Sequence, residues 1–368
     1  MITEKLLKRI VLVCVTLSLS ITGLASGGPA QDESGLTEYS QPTPFAFSVF
    51  GGSNSGFNPY SDRNVNFHLS LFSGQVRSVE GLQIGAISNR VTSNFVGYDA
   101  TGIYSKVDGN FSGFMAGGLV GRVDGNFIGM QNAGIYNKIG SNFFGFQTAG
   151  IMNEVDGDFT GMQVSGIHNE SQNIRYFQIA GISNHASDVE GVQIAGIVND
   201  AKYVKGIQIG LVNKSEKLDG IAIGLVNLSE SGSVHMVSWG SSIEDFQLGI
   251  KFAPNNYWYT TLTMGQELTI AGQDLLTSFQ AHMGFHLPLA ANFYTEIDLG
   301  SGNTIPKKFF SLESEDSQNT IESRIAVGIK ITPRLSIFGG LSHSRNVDDS
   351  NFFDASSGET SPFFGIQI

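Results

Sequence analysis

Apolar and polar positions recur in one short pattern along the middle of the chain. The pattern is Gly-φ-Gln-φ-(x)-Gly-φ-x-Asn, where φ is apolar, and its copies begin at residues 81, 97, 113, 129, 145, 161, 176, 191, 206 and 220. The spacing is 16 residues five times, 15 residues three times and 14 residues once. A repeat of this length is one supersecondary unit, so the pattern predicts an array of stacked units.

The similarity of each copy to the next predicts the direction of the strands. An antiparallel meander would make alternate turns, and therefore alternate copies, most alike. Here every copy resembles its neighbour, which favours coils that all run the same way. The repeats therefore predict a β-solenoid with equivalent side chains stacked about 4.8 Å apart. A lone coil buries too little apolar area to offset the entropy of ordering it, so stacking is obligatory.

Alternation within one copy predicts which side chains share a face of the strand. One face is expected to carry Ile207, Ile209, Leu211 and Asn213, and the other Gln208 with its neighbouring Gly and Val residues. The Gln residues would then form an exposed row: Gln83, Gln131, Gln147, Gln163, Gln178, Gln193 and Gln208. The recurring Asn residues are expected to bond coil to coil as a structural ladder: Asn89, Asn137, Asn153, Asn169, Asn184, Asn199, Asn213 and Asn227.

Turns in the longer copies place acidic residues at one edge of the stack. In residues 107–111 the Asp-Gly pair is expected to supply a positive φ, and the flanking Val and Phe to point toward a core. The residues of this edge are Asp108, Asp124, Asp156 and Asp158. Turn chemistry is the main interpretation, and a weak cation- or glycan-binding edge is the alternative. The calcium-binding nonapeptide spacing is absent.

Residues 231–368 lose the repeat and show longer strands. Eight strands are predicted near residues 233–240, 245–252, 256–264, 277–287, 291–299, 320–331, 334–343 and 361–368. Short turns alternate with long polar loops, which is typical of a small outer-membrane barrel. The predicted fold class is therefore all-β: a repeat β-solenoid followed by an antiparallel sheet or a small eight-stranded barrel.

Two interpretations of these C-terminal strands stay open, because both give alternation with a period of two. In a membrane barrel the apolar face meets lipid, and a set of charged residues pairs in the lumen: Lys251, Glu296, Asp298, Glu322, Arg324 and Lys330. In a soluble sheet or barrel the apolar face points inward. Aromatic residues at strand ends fit either a membrane girdle or a core rim: Tyr257, Trp258, Tyr259, Phe293 and Tyr294.

The N-terminus predicts export. Basic residues precede an apolar stretch at residues 10–19, so residues 1–27 are interpreted as a signal peptide and residues 28–45 as a flexible lead-in. The predicted repeat domain is 46–230, with residues 66–72 as a divergent capping coil, and the C-terminal domain is 231–368. Cys14 lies within the signal, which leaves the mature chain without a cysteine for a lipid or a disulfide. The net charge of −12 disfavours nucleic acid as a partner.

The sequence predicts no catalytic, cofactor-binding or metal site. Nucleophile elbows, phosphate-binding Gly loops and zinc-type His-Glu pairs are absent. His282 and His286 share one face of a strand but would lie about 13 Å apart, so a shared metal is not expected.

Copies such as GVQIAGIVN, GIQIGLVN and GIAIGLVN resemble the surface-repeat proteins first noticed in pathogenic spirochaetes and found in other diderm bacteria. The resemblance covers residues 66–345, although the copies at Gly97 and Gly113 lack the Gln. It implies a signal peptide, a β-rich C-terminal segment and a place in the envelope or at the cell surface. Some relatives are lipoproteins, which this chain's single cysteine does not support. The resemblance implies no catalytic residues.

Three functions follow as hypotheses. The first is an exported, non-catalytic envelope protein whose repeats present a surface for binding or adhesion, with lipid of the outer membrane and an unidentified glycan or protein as partners. The second is a structural outer-membrane barrel in which the repeats are also barrel strands. The third is a carbohydrate-active enzyme, which would need carboxylates clustered with a basic residue on one sheet. The repeat strands offer almost none.

Overall fold

The computed structural model describes residues 42–51, 59–241, 246–266, 277–305, 318–347 and 358–368. The chain divides into two compact units, residues 1–186 and 187–368. The predicted signal peptide lies outside the described residues, as does the predicted lead-in up to residue 41. The first strand begins at Thr43. The predicted domain limits at 27, 45 and 230 stay predictions.

The first unit is built of short strands that pair with their equivalents one repeat away. They are β1 Thr43–Ser48, β2 Asn64–Ser70, β3 Ser73–Val76, β4 Ser78–Gly85, β5 Ser88–Val91, β6 Phe95–Thr101, β7 Tyr104–Val107, β8 Phe111–Ala116, β9 Val120–Val123, β10 Phe127–Ala133, β11 Tyr136–Ile139, β12 Phe143–Ala149, β13 Met152–Ser165 and β14 His168–Ala180, followed by the start of β15 Ser183–Ala195. Each coil holds two strand segments joined by a bend. In β13 and β14 the connection between the second segment of one coil and the first segment of the next is itself extended, so these two segments form one long strand.

Pairing between coils is parallel throughout the first unit, which confirms the solenoid and shows the meander to be wrong. Gly129 pairs with Gly145 between β10 and β12, and Asn137 pairs with Asn153 between β11 and β13. The divergent segment at residues 66–72 contributes to β2, which pairs in parallel with β4. Equivalent residues therefore stack in register.

Positive φ angles mark the first position of the repeat and not the Asp-Gly turn. The glycines at this position in both units have φ between 130° and 153°. Gly109, the glycine of a predicted Asp-Gly turn, has no such angle, so that part of the prediction was wrong. Tyr176 occupies the first position in its own coil, with a φ of 94°. The flanking Val107 and Phe111 are buried as expected.

The solenoid core contains aromatic rings and side-chain amides. Five Phe rings stack in sequence from coil to coil, with centroids 4.6–4.9 Å apart: Phe95, Phe111, Phe127, Phe143 and Phe159. The Gln row is also inside, with Gln147 and Gln163 at 0% exposure, so the predicted exposed row was wrong. The Asn row is buried too, and Asn153 is 0% exposed.

The second unit begins with the last coils and ends in a barrel. Its coil strands are the rest of β15, β16 Val198–Ile209, β17 Val212–Ile223 and β18 Val226–Ser229. The predicted alternation over residues 206–213 fails here, because a bend at Gly210 and Leu211 separates β16 from β17. Gln208 and Asn213 therefore both point inward, whereas Ile209 is 37% exposed.

Eight antiparallel strands then close into a barrel: β19 Ser233–Ser241, β20 Phe246–Ala253, β21 Trp258–Gln266, β22 Thr277–Pro288, β23 Phe293–Ile305, β24 Gln318–Thr332, β25 Leu335–Asn346 and β26 Glu359–Gln367. β26 pairs with β19, which closes the cylinder. All eight predicted strands are confirmed. The hypothesis that the repeats are also barrel strands is wrong, because the repeats pair in parallel and the barrel contains β19–β26 alone.

Candidate functional site

The outer wall of the barrel is apolar on all eight strands. Along β24, Ile325 and Val327 are 51% and 54% exposed, whereas Arg324 and Ala326 between and beside them are buried. The outward residues include Met236, Ile250, Met264, Phe279, Met283, Ile297, Leu299, Ile325, Val327, Ile337, Leu341 and Phe364. The soluble alternative placed this face inward, and that placement is wrong for the described residues.

The lumen holds the charged residues that the sequence assigned to it. Arg324 donates two hydrogen bonds to Asp298, at 2.8 and 3.1 Å, and Tyr259 donates a third at 2.6 Å. Lys251 pairs with Glu296, which also accepts a bond from His286. Buried charges need such partners because removing them from water is costly. The charged face is therefore a paired network, as predicted; Lys330 is the exception, being exposed near one end.

Bulky side chains close the middle of the lumen. Trp239, Phe338 and Phe363 meet edge to face, and the Arg324 guanidinium lies 4.4 Å from the centre of the Trp239 ring. The space left among these groups is about 20 Å³, which is room for about one water molecule. An eight-stranded barrel is normally just wide enough for its side chains to fill. This lumen therefore contains no open channel among the described residues.

A polar cavity of about 500 Å³ opens at one mouth of the barrel. Its basic lining residues are His235, Lys251, His286, Lys330 and Arg334. Uncharged residues that also line the cavity include Asn255, Asn256, Tyr257, Tyr259 and Gln367. This cavity was not predicted from the sequence, because its residues come from seven strands and two turns that only barrel closure brings together.

The last coil of the repeats is bonded to the same end of the barrel. Asn255 donates to the Gly220 carbonyl at 2.8 Å, and the Trp258 indole donates to the Ala222 carbonyl at 2.6 Å. Asn227, the last member of the Asn row, donates to the Thr260 hydroxyl at 3.0 Å. The side-chain amide of the last Asn in the row therefore has a hydrogen-bond acceptor in the barrel.

The Gln and Asn rows form two hydrogen-bonded ladders. In the Gln ladder beyond the first coils the Nε2 groups donate to the preceding coil, as from Gln147 to Gln131 at 2.8 Å and from Gln163 to Gln147 at 2.9 Å. In the Asn ladder each Nδ2 donates to the following coil, as from Asn137 to Asn153 at 3.0 Å. The predicted structural role of the Asn row is confirmed. The amides of both rows bond mainly to one another; the Asn137 side-chain oxygen, which faces Gly121 of the preceding coil, is a buried atom without a partner.

The Gln ladder changes character in the first coils. His68 lies 2.9 Å from the Gln83 carbonyl oxygen, and Gln83 in turn donates to Asp99 at 3.0 Å. Burial lowers the pKa of His68 despite its bond to Gln83, so the ring is neutral and donates here. Burial raises the pKa of Asp99, and bonds from Ser105, Gln83 and Thr101 oppose that rise only in part. Asp99 is thus a buried carboxyl at a position where most coils carry Gln.

The acidic edge is explained by ion pairs. Asp108 pairs with Arg90 at 2.8 Å and with Lys106 at 2.7 Å. Partial burial raises the pKa of Asp108, but the bonds from Lys106 and Arg90 outweigh it and leave the pKa below its ordinary value. Asp124 pairs with Lys106 and Arg122, Asp156 with Lys138, and Asp158 with Asn173. Within the described ranges, no three His, Cys, Asp or Glu side chains cluster as metal ligands.

The predicted aromatic girdle divides into outward and inward residues. Tyr257 and Phe293 are exposed, at 60% and 50%, whereas Tyr259 and Tyr294 are almost fully buried. Trp258 packs its ring edge against Phe285. Inward orientation follows from strand alternation, which places neighbours such as Phe293 and Tyr294 on opposite faces. The girdle assignment was therefore wrong for Tyr259 and Tyr294.

The two histidines of β22 have separate partners. His282 bonds to Glu322 at 3.0 Å, and His286 bonds to Glu296 at 2.8 Å.

An aliphatic row follows the bend of the coils on the outside. In the first unit its members are 40–45% exposed: Ile87, Ile103, Leu119, Ile135, Ile151, Ile167 and Ile182. In the second unit the corresponding residues are Ile197, Leu211 and Leu225, at 45–46%. Single exposed apolar residues are ordinary, but a regular row is a surface that a partner can cover.

Comparison with known proteins finds only partial structural similarities. No family model matches the chain, and no curated protein matches it. The chain is similar to the N-terminal β-barrel domain of Pseudomonas aeruginosa OprF, at 13% identity and a TM-score of 0.29, over 37% of this chain and 97% of that one. It is also similar to the Yersinia pestis outer membrane protein Ail in a phospholipid nanodisc, at 12% identity and a TM-score of 0.26, over 37% and 97%.

A third similar structure is the Neisserial surface protein NspA, at 10% identity and a TM-score of 0.24, over 37% of this chain and 92% of that one. Identities and TM-scores this low transfer no function. No helical segment in the described ranges has the length and hydropathy to cross a membrane. The fold defines the chain as an all-β protein with a parallel repeat stack and a closed eight-stranded barrel.

Proposed function

We propose that this chain is an exported, non-catalytic protein of the bacterial outer membrane, anchored by its barrel and using its repeats as a binding scaffold. The observation that carries the anchor is the apolar outer wall of β19–β26 around a lumen of paired charges. In water this arrangement would expose a large apolar surface while burying ion pairs at a cost. Against lipid, the same arrangement is the stable one.

The scaffold role is supported by the interior of the repeats. Their buried Gln and Asn side chains are bonded to one another as ladders, and the edge carboxylates Asp108, Asp124 and Asp156 are paired with Lys or Arg. The groups presented outward at regular spacing are instead aliphatic, as in Ile135 and Ile151 at 40% and 43% exposure. Such a surface suits contact with a partner.

The anchor is tested by fractionating cells of a diderm host that express the full chain. The protein is expected in the outer-membrane fraction after a carbonate wash, with a folded form that migrates differently on gels before and after heating. Val327→Arg places a cation on the outward face, where a charge near the bilayer midplane costs about 2–4 kcal/mol. It should reduce the folded, membrane-bound fraction at least several-fold, whereas the control Val327→Leu should not. A wild-type chain that is released by carbonate in soluble, folded form contradicts the anchor.

A further inference from the structure

The cavity at the mouth of the barrel has a charge opposite to that of the chain. The chain carries 33 acidic and 21 basic residues, yet Lys251, Lys330 and Arg334 line this cavity without a single Asp or Glu. The nearest carboxylate described for the lumen is Glu296, which lies deeper and already pairs with Lys251 and His286. The cavity therefore carries a net positive charge.

Neither cation at its rim has an acidic partner. Among the described residues no carboxylate pairs with Lys330 or Arg334, and the Lys330 ammonium lies 6.0 Å from the centre of the Tyr294 ring. Lys251 is held in place by Glu296 and by the Gln367 side-chain oxygen at 3.2 Å, over the Tyr259 ring at 3.9 Å. One fixed cation and two uncompensated cations thus face the same space.

From this arrangement we propose that the mouth cavity is a binding site for an anionic group, a phosphate or a carboxylate. A volume of about 500 Å³ accommodates a small molecule or one end of a larger one. Low-dielectric walls around like charges strengthen their attraction for an anion. Asn256, Tyr257 and Gln367 supply neutral hydrogen-bonding groups beside the cations. Arg334 offers the planar fork that binds either oxyanion in two bonds.

The test uses the full-length protein in neutral detergent micelles, titrated by calorimetry with inorganic phosphate and, separately, with citrate as a carboxylate probe. Saturable binding to wild type is expected with at least one probe, weakening as salt is raised to about 0.5 M. The double variant Lys330→Gln/Arg334→Gln should weaken that binding roughly tenfold or more, because both uncompensated charges are gone. Its matched control is Lys214→Gln/Lys217→Gln, which removes two exposed lysines from the last coils of the same unit.

Binding that the control leaves intact and the rim variant weakens supports the site, and the probe that binds more tightly distinguishes phosphate from carboxylate chemistry. Absence of saturable binding with both probes overturns the proposal. Equal binding by wild type and the rim variant also overturns it. Heat-dependent gel mobility shows that each variant retains its barrel, so a loss of binding is not a loss of folding.

The connections of the barrel carry a separate inference about its orientation. At one end lie the short turns, residues 254–257, 289–292 and 333–334. At the other end lie the strand ends Ser241 and Phe246, Gln266 and Thr277, Ile305 and Gln318, and Asn346 and Glu359, which the sequence joins through 4 to 12 residues. Both ends of the barrel chain lie on the short-turn side, since Ser233 pairs with Ala253 and Met236 exchanges backbone hydrogen bonds with Ile368.

Bacterial barrels place short turns on the periplasmic side and longer loops outside the cell. The coils of the second unit join the short-turn end, where Asn227, Asn255 and Trp258 bond across the junction. We infer that these coils and the cationic mouth face the periplasm. This inference rests on the proposed outer-membrane anchor, and it makes the binding partner of these coils a periplasmic component instead of a host molecule.

Single cysteines in a Cys14→Ser background test the orientation. Lys217→Cys lies on a coil, and Val347→Cys lies at the long-loop end; both positions are exposed. A membrane-impermeant maleimide should label Val347→Cys in intact cells, and Lys217→Cys only after the outer membrane is permeabilised. Labelling of Lys217→Cys in intact cells, with the protein still resistant to carbonate, overturns the orientation and leaves the anchor standing. Release by carbonate shows instead that the anchor has failed.

Discussion

The buried Gln ladder makes the most quantitative prediction about the repeats. Gln147 is fully buried, donates to Gln131 at 2.8 Å and accepts from Gln163 at 2.9 Å. Gln147→Met keeps the side-chain volume but removes both bonds, so the Gln131 oxygen and the Gln163 amide lose their partners. Two hydrogen bonds at about 1 kcal/mol each, with the cost of leaving buried groups unsatisfied, give a loss of about 2–4 kcal/mol.

The chain contains one natural Met in this ladder, and its surroundings explain why it is tolerated. The Gln131 amide lies 3.5 Å from the Met115 sulfur and also donates to the Gly121 carbonyl at 3.2 Å. Gly121 stands where most coils carry Asn, so its missing side chain allows this approach. The carbonyl thereby replaces the lost partner. Around Gln147 the Asn positions are filled, and no such replacement is expected.

Hydrogen exchange of the full-length protein in detergent, read by mass spectrometry on peptides covering residues 143–165, measures the effect. A loss of about 3 kcal/mol raises local exchange roughly 150-fold. The matched control is Thr148→Val, which removes a coil-to-coil bond of 3.1 Å one residue away on the exposed side. It should cost less than about 0.5 kcal/mol. Equal, small effects of the two variants would refute the reasoning that the buried ladder stabilises the stack.

Three further predictions concern the coils of the first unit. Tyr176→Gly relieves backbone strain, because Tyr176 is a non-glycine residue with a φ of 94°. We expect thermal unfolding to show that the free energy of unfolding rises by about 1 kcal/mol. Gly145→Ala would place a Cβ 1.9 Å from the Gly129 carbonyl oxygen, at a φ of 137°. It should therefore lower the free energy of unfolding by about 3 kcal/mol or more and make residues 143–165 sensitive to protease. Protease resistance equal to that of the wild type would contradict this. Burial raises the pKa of Asp99 in the folded state above its value in the unfolded chain. The contribution of Asp99 to stability is therefore full below the unfolded-state pKa and is lost as pH rises through the folded-state pKa. Asp99→Asn should flatten that fall, and parallel melting curves across pH would contradict it.

Sequence reasoning succeeded where one periodicity runs without interruption. The barrel strands alternate over most of their lengths, so their positions and the division into an apolar and a charged face follow from the sequence, whereas the structure was needed to show that the charged face of Arg324 and Glu296 points inward. Similar copies at a spacing of 14 to 16 residues also sufficed to predict parallel stacking, because coils that all run the same way place every turn in an equivalent position. Both inferences depend only on local patterns, namely the alternation within one strand and the similarity of one repeat to the next.

The predictions that failed concern two situations. In one, a bend interrupts the alternation of inward and outward residues; in the other, hydrogen-bond partners in neighbouring coils offset the cost of burying a polar side chain. Alternation was carried through Gly210 and Leu211, but the bend there resets the phase and turns Gln208 and Asn213 inward together. Gln was expected outside because a lone buried amide is costly. Stacking supplies each amide with the next, which removes that cost. The mouth cavity depends on closure of the barrel, and no local pattern encodes it.

The central claim, that the outer wall of the barrel faces lipid, is tested most directly by spin labels placed one at a time from residue 324 to residue 329 of β24 in phospholipid vesicles. Accessibility to oxygen, which concentrates in lipid, should peak at positions 325, 327 and 329 and fall at 324, 326 and 328. A profile in which a water-soluble nickel reagent reaches the odd positions best would contradict the account.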